Sequence, residues 1–325
     1  MTKKEYRPFE ENAKEFQDKL FESRIEAVNL AFKKAPKREW AKYTERMIHM
    51  IFLLLGLITV GCVLLITVYL VISGIPAVRE IGLTDFLLGK EWASTADEPK
   101  YGILPFILTS IYGTAGAILI GVPVGCMTAV YLSKLASPKV KSVMQSAVSL
   151  LAGIPSVVYG LVGMLVLVPG IRKVFDIPDG ASLLAAIIVL AIMILPSIIK
   201  MSITALDAVP KEYEDASLAL GATPIETYFK VSVPAAKSGI AASVVLGVGR
   251  AIGEAMAVMM VAGNAPNMPD SLFQSVRFLT TAVASEMSYS SGLQRQALFS
   301  IALVLFLFIM MINAVLNYFL KGEKK

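Results

Sequence analysis

Gly247-Val248-Gly249-Arg250-Ala251-Ile252-Gly253-Glu254-Ala255-Met256-Ala257-Val258 sits in the middle of an apolar run from about Ser238 to Gly263. A run of that length is enough to cross a bilayer as a helix. A guanidinium and a carboxylate near the midplane of a bilayer are costly, so such groups face a bundle interior or an aqueous path. On an uninterrupted helix, Arg250 and Glu254 would lie one turn apart on the same face. That pair is the expected centre of an anion pathway.

The 325 residues are 56% hydrophobic and 17% charged. Soluble domains run nearer about 45–50% and about 25%, so the chain reads as a polytopic membrane protein. A net charge of +5 with no base-reading motif excludes nucleic acid as an expected partner. Cys62 and Cys126 both fall inside apolar runs, which argues against a disulfide framework. With His49 as the single histidine, no metal site is expected. The first 46 residues are polar and charged, so no cleavable signal peptide is expected before the first span.

Residues 1–46 read as a hydrophilic N-terminal extension. Phe9, Ala13, Phe16, Leu20, Ile25, Val28 and Phe32 recur at mostly three- and four-residue steps, the pattern of an amphipathic helix. Six apolar runs then make a transmembrane domain over 47–320, at about 47–74, 103–133, 145–168, 181–204, 238–263 and 297–320. Residues 321–325 form a tail. Lys and Arg crowd segments 1–46, 134–144, 205–237 and 321–325, which places both termini in the cytoplasm. The 169–180 loop, with Arg172 and Lys173, takes its side from alternation. Trp92 and Tyr101 mark the outer aromatic belt, and Trp40, Tyr43 and Tyr318 the inner one. Pro123, Pro155 and Pro196 interrupt the second, third and fourth spans. Each frees a backbone carbonyl that protein or water must satisfy, through ordinary kinking or along a pathway.

The cytoplasmic loop 205–237 carries its own local signals. Pro210 suits the start of a helix over Lys211–Leu220, and Gly221 suits its C-terminal stop. Thr223-Pro224-Ile225-Glu226 is a capping box opening a second short helix, and Pro234 ends the arrangement. A helix–turn–helix of this kind is what a partner groove grips.

Asp215-Ala216-Ser217-Leu218-Ala219-Leu220-Gly221, followed after nine residues by Val231-Ser232-Val233-Pro234, resembles the EAA loop of ABC-importer permeases. Asp215, Ser217 and the two valines depart mildly from that pattern. The resemblance implies an all-α fold of six transmembrane helices, the type I ABC importer permease fold. It also implies a coupling helix that transmits nucleotide-driven closure, with Glu214, Asp215, Ala216, Ser217, Gly221 and Pro234 at the ATPase contact.

Three more strings resemble the phosphate-specific importers of that family: Ala152–Gly160, Gly249–Val258 and Arg277–Thr281. Gly-Arg-Ala-Ile-Gly-Glu followed by Met-Ala-Val looks like the C-type permease of the pair. The resemblance implies a heterodimer with a second homologous permease in a bacterial-type inner membrane. It further implies two cytoplasmic ATPase subunits and an extracytoplasmic phosphate-binding protein. No Gly-x-x-x-x-Gly-Lys-Ser/Thr loop occurs, so ATP and Mg²⁺ are expected on the partner ATPase, with no cofactor in this chain and no catalysis by it.

Arg250 would offer planar, permanently charged donors to phosphate, and Glu254 would offset that charge so the site releases what it binds. The same two residues could instead form a structural pair tying helices together. Ser156, Tyr159, Thr280 and Thr281 are candidate pathway donors, or satisfy their own helix backbones. Asn264, Arg277 and Glu286 could meet an anion or a binding protein, or be solvated. Import of sulfate or molybdate, a stand-alone secondary transporter or channel, and a membrane sensor are the competing classes.

Overall fold

The computed structural model describes residues 19–26 and 39–322. Of the expected N-terminal amphipathic helix, Phe9, Ala13, Phe16, Val28 and Phe32 lie outside the described residues. Residues 19–26 are helical, with Leu20 and Ile25 exposed. The chain divides into two units, Met1–Ile66 and Thr67–Lys325. The first unit holds most of α1 (Glu39–Ile81), a 43-residue helix whose described side chains there are exposed and overwhelmingly apolar. This is a surface suited to lipid, as the first apolar run anticipates.

The second unit continues with α2 (Leu83–Leu88) and a two-stranded hairpin, β1 (Trp92–Ala93) and β2 (Lys100–Tyr101). The strands are antiparallel, with Trp92 opposite Tyr101. There follow α3 (Leu104–Val130), α4 (Pro138–Gly153), α5 (Ser156–Val162), α6 (Val168–Phe175) and α7 (Leu183–Asp207). Next come α8 (Lys211–Ala219), α9 (Pro224–Thr227), α10 (Val233–Ala235), α11 (Lys237–Gly253) and α12 (Met256–Val261). The chain closes with α13 (Leu279–Glu286) and α14 (Gly292–Gly322).

Among the described residues five helical stretches are long and apolar enough to span: Tyr43–Ile81, Leu104–Leu135, Ser156–Phe175, Leu183–Asp207 and Gly292–Val315. The bent pair Pro224–Ala235 and Lys237–Gly253, which turns by 70°, brings the number to six when read as one broken span. The six-span, multi-pass expectation therefore holds, with two runs redrawn. The run at 145–168 is not one helix: the chain breaks at Ile154-Pro155, because the residue before a proline is driven out of the α region. Its second half continues through Phe175, so Arg172 and Lys173 are helical rather than part of a loop. The run at 238–263 breaks at Glu254-Ala255.

Helix α7 is the axis of the second unit, with 15 buried side chains and neighbours on several sides. Lipid tails are as apolar as isoleucine, so water exclusion does not drive packing here; close van der Waals approach does. Gly121 and Gly125 of α3 supply that approach. A Cβ at either would fall within 2.8 Å of Ile194 or Ile198.

The two ends of α3 carry separate clusters. Its first turns join Phe86, Trp92, Tyr101, Phe106, Leu279 and Leu298, while its last turns join Leu132, Val148, Ile203, Leu206 and Val209. Trp92 and Tyr101 are only 6% and 8% exposed, packed edge-on. They are core residues of a cap, not members of an aromatic belt. Tyr43 and Tyr318 are exposed, and the side chain of Trp40 lies outside the described residues.

Candidate functional site

Helix α11 stops at Gly253, and Glu254 is extended at φ −73° and ψ 128°. That break overturns the same-face geometry expected of Arg250 and Glu254. The Glu254 carboxylate turns to the next helix instead, and its Oε1 accepts from the Ala257 N–H at 3.0 Å. An acid at that position satisfies an orphan donor and complements the positive end of α12. The Glu254 carbonyl, released from helical bonding, accepts from Thr280 Oγ1 at 2.8 Å. Arg250 Nη1 donates to Ser197 Oγ of α7 at 3.3 Å, one residue past the Pro196 interruption. Both side chains are partly exposed.

The second broken helix lies beside the first. Gly160 of α5 backs onto α12 so closely that a Cβ would stand 2.8 Å from the Ala257 Cα. No other residue permits that approach without displacing backbone. The Tyr159 hydroxyl donates to the Leu151 carbonyl at 2.7 Å, bridging the Ile154-Pro155 break, and lies within electrostatic reach of Arg250. Ser156 opens α5 and is partly exposed. The structure therefore brings Ser156, Tyr159, Arg250, Glu254 and Thr280 to one pair of adjacent helix breaks.

The remaining candidates are placed elsewhere. Thr281 caps its own helix through Phe278 and serves the backbone. Asn264 adopts φ 60° beyond α12, with Nδ2 donating to the Met259 carbonyl at 3.2 Å and Oδ1 buried without a partner.

At the opposite end of the bundle the loop forms as its signals require. Gly221 stands at φ +88°, the left-handed stop after α8, and Thr223 and Glu226 make a reciprocal capping box. Two expected partner contacts turn inward. Glu214 pairs with Lys134 at 2.6 Å and accepts from Ser232 at 2.8 Å, while Ser217 and Thr227 hydroxyls meet at 2.9 Å. Burial works to raise the Glu214 pKa, but bonding to Lys134 and Ser232 outweighs it and holds the group below its usual range. Asp215, Ala216, Gly221 and Pro234 are exposed, as are the apolar Tyr213, Leu220 and Ile225. Pro234 does not end the arrangement: it lies within α10, and the chain turns at Ala236.

Sequence reasoning undervalued one cluster. Arg277 and Glu286 are paired and nearly buried, not solvated loop charges. Glu286 also accepts from Trp92 Nε1 at 3.2 Å, Ser94 Oγ at 3.1 Å and Gln294 Nε2 at 3.1 Å. Arg277 Nε donates to the Asn264 carbonyl at 2.8 Å, and its guanidinium lies over the Phe106 ring. These partners come from four segments up to 194 residues apart, so no local pattern announces them.

Residues 121–324 match the family described as binding-protein-dependent transport system inner membrane component. The chain is 41% identical over 273 residues to a probable ABC transporter permease protein, YqgH, of Bacillus subtilis, covering 82% of this chain and 88% of that one. It is 33% identical over 294 residues to the phosphate transport system permease protein PstC of Haemophilus influenzae, covering 84% and 91%. Among solved structures, a bacterial alginate ABC transporter chain aligns with TM-score 0.55 at 15% identity, over 89% of this chain and 95% of that one. A chain of the inward-facing MetNI methionine ABC transporter aligns with TM-score 0.52 at 19% identity, over 69% and 95%. These two likenesses bear on the fold alone.

Proposed function

This chain belongs to the family of binding-protein-dependent transport system inner membrane components, and from that premise we propose that it is the C-type permease subunit of an ATP-driven phosphate importer. The observation that carries the substrate is the match to named phosphate permeases over most of both chains. Arg250 supports it on physical grounds. Among the described residues its hydrogen bond goes to a neutral serine, so its positive charge is not matched by Glu254 and is available to an incoming anion. The Glu254 carboxylate, held 3.0 Å from the Ala257 N–H, places an acidic group in the same break. That limits how tightly phosphate is held, as a path must release what it binds. The named relatives also weigh against sulfate or molybdate as cargo.

The chain forms half of a pathway completed by a second, homologous permease. Both termini and the 205–237 loop face the cytoplasm, where α8 docks on one of two ATPase subunits. ATP and Mg²⁺ belong to those subunits. An extracytoplasmic binding protein delivers phosphate to the other face. Exposed Tyr213, Leu220 and Ile225 give the docking surface its apolar contacts, while Glu214 and Ser217 hold it rigid. Gly221→Val forces a β-branched residue into the left-handed region, costing about 1–2 kcal/mol locally. The ATPase recovered in a pull-down with that variant should fall, and full recovery would refute the docking assignment.

The deciding experiment is radiolabelled phosphate uptake in cells lacking other phosphate importers, with sulfate and arsenate as competitors. Arsenate should compete and sulfate should not. Competition by sulfate alone would refute the phosphate reading.

A further inference from the structure

Helix α4 (Pro138–Gly153) has three faces. Val148, with Lys141 and Ala152 beside it, turns toward α7 and the cluster around Leu206. At 100° per residue, Val140, Val143, Met144, Leu150 and Leu151 fall on a second, exposed apolar face. The third face gathers Lys139, Ser142, Gln145, Ser146 and Ser149 into an arc of about 120°, and Gln145 is the only one of the five that is partly covered. Ser142, Gln145, Ser146 and Ser149 line a groove of about 700 Å³ with Pro138 and Lys141 at its lower end and Leu150 on its border with the apolar face. By contrast, from Leu151 upward the neighbouring cavity of about 570 Å³ is lined almost wholly by apolar side chains.

A hydroxyl can fold back on its helix in lipid, as Ser146 does on the Ser142 carbonyl at 2.9 Å. A glutamine amide and a lysine on the same face cannot be silenced that way, so a face carrying them belongs in water. The face runs from the Lys139–Lys141 end to Gly153, where α4 meets the Ile154-Pro155 break; Tyr159 ties that break to Leu151, and Gly160 sets it against Ala257, just past the break that follows Arg250. It offers ammonium, amide and hydroxyl donors; α4 itself carries no carboxylate, and at the lower end Lys141 donates to Asp207 of α7 at 3.3 Å. Weak donors spaced along a helix suit an oxyanion that must move on.

We infer that this polar face of α4 is the wall of the inner half of the anion pathway, from Arg250 to the cytoplasm. The inference rests on the permease reading above and adds specificity-setting residues to it.

The test is cysteine accessibility in the assembled complex, in a background with Cys62 and Cys126 replaced by alanine. Ser142→Cys, Ser149→Cys and, as the apolar-face comparison outside the groove, Val143→Cys are treated in inside-out vesicles with a charged, membrane-impermeant methanethiosulfonate. Ser142→Cys and Ser149→Cys should react, and Val143→Cys should lag well behind. Trapping the ATPases with ATP and vanadate should slow Ser149→Cys about tenfold, because reactivity follows the population of the open state. No reaction at Ser142→Cys and Ser149→Cys, equal rates at Val143→Cys, or rates unmoved by trapping would overturn the assignment. The modification rates do not depend on which anion is carried. A failure of the phosphate reading therefore shows in uptake competition with the labelling pattern intact, and a failure of the wall shows the reverse.

Discussion

Two arginine–glutamate couples lie within 40 residues of each other and have opposite fates. Arg277 and Glu286 are nine residues apart and bonded, with Trp92, Ser94 and Gln294 completing the acceptor shell of the carboxylate. Arg250 and Glu254 are four residues apart, the spacing that pairs charges on a helix, yet the helix stops between them and each finds a neutral partner. The first couple is a clamp whose charges neutralise each other and join the 92–101 hairpin to the segment after α12. The second has its two side chains turned to different neutral partners across a break, at the point where two broken helices meet. A charge pair that is satisfied can only hold structure. One kept apart can answer a passing anion.

The contrast is sharpest for stability. Glu286→Ala strands a nearly buried guanidinium and three donors, and loss of one partner from such a pair costs about 3–5 kcal/mol. The melting temperature of the detergent-solubilised complex should drop by many degrees, with Glu286→Gln recovering part of the loss. An unchanged melt would remove the clamp from the account.

A third pair, Lys134–Glu214, is intermediate, with side chains 12% and 17% exposed. The Glu214 pKa is depressed in the folded chain, so the pair's contribution is full above the ordinary value of 4.5 and is lost as pH falls through the folded value. Amide exchange of residues 211–235 should therefore quicken on acidification below about pH 4.5, relative to the rest of the bundle. Lys134→Ala should show faster exchange already at neutral pH. Identical exchange in the two proteins would contradict the bracing role.

The smallest effect belongs to the open couple. A double-mutant cycle with Arg250→Gln and Glu254→Gln should give a coupling in the melt of no more than about 0.5 kcal/mol, against several for Arg277 and Glu286. A large coupling would mean that the two side chains pair after all.

These differences mark what was legible in the residues. Gly221 and the Thr223–Glu226 box follow from local backbone chemistry, which is why the loop came out as expected. The Pro155 break was also written locally, since the residue before a proline leaves the helix. The stop at Gly253 had no comparable sign: glycine weakens a helix but does not end one, and the apolar run resumes directly after Glu254. Trp92 and Glu286 escaped for another reason. Their meeting is a tertiary event across 194 residues, and a tryptophan in a polar loop carries no mark separating a belt from a buried cap. Arg250, Glu254, Tyr159 and Thr280 were identified as residues but not as a geometry, because the geometry lies in two helix breaks.

The account rests on an Arg250 that is open to an anion rather than spent on Glu254. ATP-dependent phosphate uptake by the assembled complex carrying Arg250→Gln tests this directly, with subunit composition checked in the same preparation. Uptake should fall to the background of vesicles without ATP while every subunit remains present. Uptake at the unsubstituted rate would contradict the account.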